Sequence, residues 1–186
     1  MEGLRLAWAP APSSRDGRRA VAWGLIRDLL RAEAVAEARL TNPCPQCGGP
    51  HGPVRVEDAA WRAGVTYAGR FAVVGVVPGA GGGFAVDAEP LHDTVREAAG
   101  GVPGGVRRWV RVEAALKAVG TGLRIDAASV RLEESADGAR WFADVPGVAR
   151  TVHGLDLDGP PGILLSAAVV DTVVDTMVDT ASMSAR

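Results

Sequence analysis

The sequence predicts an α+β domain whose strands are mostly antiparallel. Three observations carry that reading. Two segments repeat their apolar residues at helical spacing, and several short apolar runs are separated by Gly, Pro and polar turns. The third is bulk character: 186 residues with 47% hydrophobic and 23% charged side chains suit one globular domain, or two small halves packed together.

Taken in order, residues 17–38 (GRRAVAWGLIRDLLRAEAVAEA) form the first predicted helix. Val21, Leu25, Leu29 and Leu30 make an apolar stripe, with Arg18, Arg19, Arg27 and Arg31 around it. A Cys/Gly/Pro-rich connection follows at 43–53 (PCPQCGGPHGP). Residues 64–77 hold two strand-like runs on either side of Ala68-Gly69. PGAGGG (78–83) breaks the chain, and FAVDAE follows as a further short strand. Residues 106–119 are the second predicted helix, with Val106, Trp109, Val110, Ala114 and Leu116–Lys117 recurring at three and four. Gly120 and Gly122 end it. RIDAASVRLEES, GARWFADV and GILLSAAVV are expected to be short strands joined by polar turns. In VVDTVVDTMVDT (169–180) the first two valines end a strand, and residues 171–186 are expected to be a disordered tail.

Several function classes are disfavoured by composition. A formal net charge of −2 offers no whole-protein attraction to nucleic acid or to an anionic membrane. No apolar stretch approaches the ~20 residues of a membrane span. The opening residues lack a cationic start followed by an apolar block, so no secretory signal is expected. Two cysteines are too few for a disulfide scaffold, and a cytoplasmic location is the default. Arginine carries nearly all the positive charge; the one lysine is Lys117.

Chemistry concentrates at two places. Asp87 and Glu89 stand at i and i+2, so on a strand both side chains leave one face. Either the strand has ended, as Pro90 suggests, and both are solvated, or they offer oxygen ligands of the kind Mg²⁺ prefers. Burying two like charges without a cation is costly. Glu113 and Lys117 lie one helical turn apart and share a face with Trp109. An ordinary i,i+4 pair explains their spacing but not why the only lysine is here.

The D-x-E strand, followed by W-x-x-x-E-A-x-x-K-x-x-G-x-G-L at 109–123, resembles the Sfp-type 4'-phosphopantetheinyl transferases. CPQCGGPHG (44–52) is similar to a segment of actinobacterial members, and the resemblance covers roughly residues 15–170. It implies a pseudo-two-fold pair of α+β halves, at 1–79 and 80–170, with coenzyme A bound between them. It further implies a monomer that moves phosphopantetheine to a serine of an acyl or peptidyl carrier protein. Asp87, Glu89 and Glu113 match the Mg²⁺-binding acids, Glu113 also the acid that activates the serine, and Lys117 the phosphate-contacting lysine.

The sequence departs from that family at three points. Tyr67 stands where a histidine contacts the coenzyme A 3'-phosphate, Pro53 replaces a basic residue with Arg55 displaced by two, and Val112 replaces a lysine. The chain is therefore either an active transferase, with Arg18, Arg19 or Arg55 replacing lost cations, or a relative that binds coenzyme A or carrier without transfer. Cys44, Cys47 and His51 offer three zinc-type ligands. A structural site needs four, so a Gly/Pro-rich turn with free thiols is expected, and no βαβ pattern supports a redox pair. PGAGGG lacks the ending of a phosphate loop and is expected to link the halves. His92 and His153 are expected in solvated loops. Trp8, Trp23, Trp61 and Trp141 are expected in core or edge packing, without an accompanying basic patch.

Overall fold

A computed structural model describes residues 1–93 and 101–170; the expected tail, with most of the VVDT repeat, lies outside the described residues. The chain runs β1 (Arg5–Pro10), α1 (Arg15–Ala32), β2 (Arg39–Thr41), β3 (Arg55–Glu57), β4 (Trp61–Ala68) and β5 (Phe71–Pro78). It continues with β6 (Gly83–Pro90), α2 (Gly105–Ala118), β7 (Arg131–Glu134), β8 (Arg140–Asp144), β9 (Val152–Leu157) and β10 (Ile163–Val170). The first five strands make one antiparallel sheet, ordered β1-β5-β4-β3-β2; the last five make another, ordered β6-β10-β9-β8-β7. Among the described residues, each sheet is thus built from a strand, a helix and four more strands, the last of which inserts beside the first.

Side-chain alternation sorts these elements into layers. Ala72, Val74 and Val76 of β5 meet Ala22, Ile26 and Leu30 of α1, while Val73 and Val77 point the other way. Those two pack with Phe84, Val86 and Ala88 of β6 and Leu165 and Ala167 of β10, forming an apolar layer between the sheets. Beyond it, Ala85 and Ala168 meet Val112, Ala115 and Leu116 of α2, with the fully buried Trp141. Strands covered on both faces read as continuous apolar runs, which is why FAVVGVV shows no alternation. The two sheets come closest where β6 crosses β4. A Cβ on Gly64 would stand 2.9 Å from the Val86 nitrogen, so only glycine permits that approach.

Both helices have definable ends. Ser14 caps α1 by accepting from the Gly17 N–H at 3.3 Å. The helix stops at Ala32, earlier than the expected 38, because Ala34 takes a left-handed φ of 63° and turns the chain. α2 closes with Gly120 N–H donating to Lys117 O at 3.1 Å and Thr121 N–H to Leu116 O at 3.1 Å, the two bonds of a Schellman motif. Its register is fixed by Arg111, 2% exposed, whose guanidinium bonds Asp156 at 2.8 Å, Glu134 at 2.8 Å and Gly138 O at 3.0 Å.

Other expectations need correction. β1, β2 and β3 were not anticipated, because they are short or lack alternation. RIDAAS forms 3-10 turns rather than a strand. His153 lies in β9, with its ring edge-on to Phe142 at 5.3 Å, not in a loop. The tryptophans agree with the expected core or edge packing: Trp141 is core, and Trp8 lies on the edge strand β1, 40% exposed.

Candidate functional site

β6 alternates its side chains between the two covered faces, so Val86 and Ala88 enter the inter-sheet layer while Ala85 turns toward α2. Asp87 shares parity with Ala85 and is carried into the α2 side, where it is 2% exposed. Glu113 and Lys117 of α2 arrive there one turn apart. The Lys117 ammonium bonds Asp87 Oδ1 and lies 3.1 Å from Glu113 Oε2. Thr66 of β4, also buried, donates to the same Asp87 Oδ1 at 3.3 Å. Asp87 Oδ2 is buried with no hydrogen-bond partner. A carboxylate half satisfied in this way is expensive, and structural sites rarely leave one.

The electrostatics follow from that burial. Desolvation pushes the Asp87 carboxyl up to about 7, against the pull of the Lys117 ammonium, while Glu113 and Glu89 push it further up. Burial acts to lower Lys117, but Asp87 and Glu113 outweigh it and hold the ammonium above its ordinary value. Lys117 therefore stays charged at neutral pH, and Asp87 titrates near it.

Of the residues singled out from sequence, Asp87, Glu113 and Lys117 come together. Glu89 is half-buried at the end of β6, within electrostatic reach of Asp87. The oxygens of the three carboxylates do not gather within 4.8 Å of one another; among the described residues only Cys44, Cys47 and His51 form a group that tight. Lys117 stands between two of the acids instead.

A cleft of about 840 Å³ opens beside Lys117, walled by α1, the 42–55 segment, β4, β6 and the residues after α2. Its lining includes Arg15, Arg18, Arg19, Arg55, Arg124 and Lys117, with no Asp or Glu. The expected absence of a basic patch is thus overturned: arginines scattered along the chain converge here. Arg18 lies over the Tyr67 ring at 5.1 Å, and its Nε is buried without a partner. Burial raises the Tyr67 hydroxyl above its ordinary value, opposed by Arg18 and Arg19, so it remains a neutral donor. Arg19 donates to Pro50 O at 2.6 Å and Asn42 to the same oxygen at 3.0 Å, tying the 42–55 segment to α1. Arg15 and Arg124 were missed from sequence. They are remote along the chain, and no local pattern marks them.

The 44–51 turn forms a second cluster. Cys47 Sγ lies 3.0 Å from His51 Nε2, and both thiols are free. Backbone N–H groups of Gln46 and then Cys47 hold the Cys44 thiol below its ordinary value. No protein-family model matches the chain, and no curated protein matches it.

Proposed function

We propose that this protein transfers 4'-phosphopantetheine from coenzyme A to a serine of an acyl or peptidyl carrier protein, as a Mg²⁺-dependent cytosolic monomer. The observation that carries the reading is Lys117: the only lysine bonds two acids at the wall of a cleft lined otherwise by arginine cations and neutral groups. The cleft's volume falls in the range of small-molecule sites, and its charge suits a ligand bearing a pyrophosphate and a further phosphate. The family resemblance of the D-x-E strand and the E-x-x-x-K helix supplies the reaction class.

By ligand type the acids suit magnesium: Asp87, Glu89 and Glu113 would offer oxygen donors, and Asp87 Oδ2 is an orphaned buried acceptor. When bound there, Mg²⁺ would neutralise charge on the pyrophosphate oxygens. Glu113 would take the proton of the carrier serine hydroxyl. The serine oxygen bonds to the β-phosphorus, the bond from that phosphorus to 3',5'-ADP breaks, and Lys117 donates to the departing phosphate. Arg18 would supply the charge that Tyr67 cannot, with the tyrosine hydroxyl adding one neutral hydrogen bond.

A second reading, binding of coenzyme A or carrier without transfer, is favoured by the spacing of the three carboxylates, which do not form a 4.8 Å group. Incubation with coenzyme A, Mg²⁺ and a panel of apo-carriers decides between them. Addition of the phosphopantetheine mass is expected, and its loss in Glu113→Gln. Coenzyme A binding with no mass gain on any carrier, at stoichiometric protein, would establish the second reading.

A further inference from the structure

We infer that Cys44, Cys47 and His51 form a zinc site of three protein ligands, with an exchangeable fourth position on the cleft. This stands independently of phosphopantetheine transfer. The two sulfurs and the imidazole nitrogen all lie within 4.8 Å of one another. A tetrahedral zinc, with bonds of about 2.3 Å to sulfur and about 2.1 Å to nitrogen, spaces its ligand atoms by roughly 3.5–4 Å, so small side-chain shifts close this group on an ion.

The backbone is shaped for that convergence. Cys44 N–H donates to Gly49 O at 2.8 Å and Gly48 N–H to Cys44 O at 2.8 Å, closing the turn that brings the two cysteines to one side. A Cβ on Gly52 would meet Pro43 O at 2.1 Å, so a glycine there is what lets the chain return His51 beside Cys44. A Cβ on Gly49 would crowd both Cys47 Sγ at 3.3 Å and the His51 ring at 3.2 Å. The backbone of Gln46 and then Cys47 holds the Cys44 thiol below its ordinary value, which favours the thiolate a metal would bind.

Charge and ligand type select the metal. Two thiolates and an imidazole suit zinc rather than magnesium. Together they neutralise a divalent ion, so the site adds no net charge to a cleft already crowded with arginines. A Cys44–Cys47 disulfide would leave the approach of His51 unexplained. No fourth His, Cys, Asp or Glu among the described residues joins the group. Because Cys44 and His51 line the cleft, water or an anionic oxygen ligand entering it can complete the coordination.

The test is metal analysis of untagged protein purified with zinc and without chelator, expected to give one zinc per chain. Cobalt substitution is expected to give thiolate-to-metal charge-transfer bands and four-coordinate d–d bands that shift on adding inorganic phosphate. His51→Ala and Cys47→Ser should lower zinc affinity roughly tenfold or more, while His51→Cys retains it. The wild-type readings alone decide the matter if those variants misfold. Sub-stoichiometric zinc with two titratable thiols, or a native Cys44–Cys47 disulfide, would overturn the site. A cobalt spectrum indifferent to phosphate would overturn its open position.

Discussion

Replacing Asp87 with Asn separates the charge of that carboxylate from its volume. In the metal-free protein, burial lifts Asp87 from 3.8 to about 7. Between those values the native chain keeps a proton that the unfolded chain has released. The stability from that proton is fully present below the unfolded value and is lost as pH rises through the native one. From 3.8 unfolded and about 7 native, the loss between pH 5 and pH 8 is about 2.5 kcal/mol. In the wild type, burial acts to lower Lys117, and Asp87 and Glu113 outweigh it, so the ammonium stays charged through this window. Urea titrations of both proteins at pH 5 and pH 8 in EDTA should therefore show Asp87→Asn gaining about 2.5 kcal/mol relative to wild type as pH rises. An unchanged difference would refute the reasoning, because it would mean Lys117 keeps Asp87 ionised throughout. If the proposed magnesium site holds, excess Mg²⁺ at pH 8 should stabilise the wild type and not the variant, which lacks the ionised carboxylate.

Three further outcomes are expected. Lys117→Met should cut transfer by roughly a hundredfold or more, the size expected for a group that stabilises developing charge, and should leave far-UV circular dichroism unchanged. Arg18→Ala should weaken coenzyme A binding about tenfold and flatten its salt dependence in calorimetric titrations, whereas Tyr67→Phe should cost less because it removes one neutral hydrogen bond. Arg111→Met should lose about 2 kcal/mol in urea denaturation, because Asp156 and Glu134 lose a buried guanidinium while Asp156 keeps Arg107 and Ser166, yet leave coenzyme A affinity intact once folded.

Local signals carried much of this fold. The stripe at Val21, Leu25 and Leu29 marked α1, and Gly120 marked the end of α2, because period and capping are properties of a few neighbouring residues. β2 and β3 have three residues each, pairing with one another from Arg39–Glu57 to Thr41–Arg55 and with β4 at Arg55–Arg62 alone, so no local pattern marks them as strands. The acids and Lys117 were legible through their motif. That Thr66 reaches Asp87 from the other sheet was not, and neither was the arrival of Arg15 and Arg124 beside Arg18 and Arg55 in one cleft. Those are products of the sheet crossing at Gly64, a tertiary event. The Cys44–Cys47–His51 spacing was visible but looked one ligand short; the turn that folds His51 back is what made it a group.

The repeated element order makes β1 the counterpart of β6, and strand register makes the match exact to the residue. Pro10 faces Phe71, the first residue of β5, as Pro90 faces Ile163, the first of β10. Counting back from those prolines sets Ala7 against Asp87 and Ala9 against Glu89. The same architectural template, used twice in one chain, is thus built once with methyl groups and once with carboxylates. A strand in this position folds without an acid, so the copy with alanines is an internal control: the buried charge of Asp87 belongs to the second copy alone, where Lys117 and Thr66 answer it.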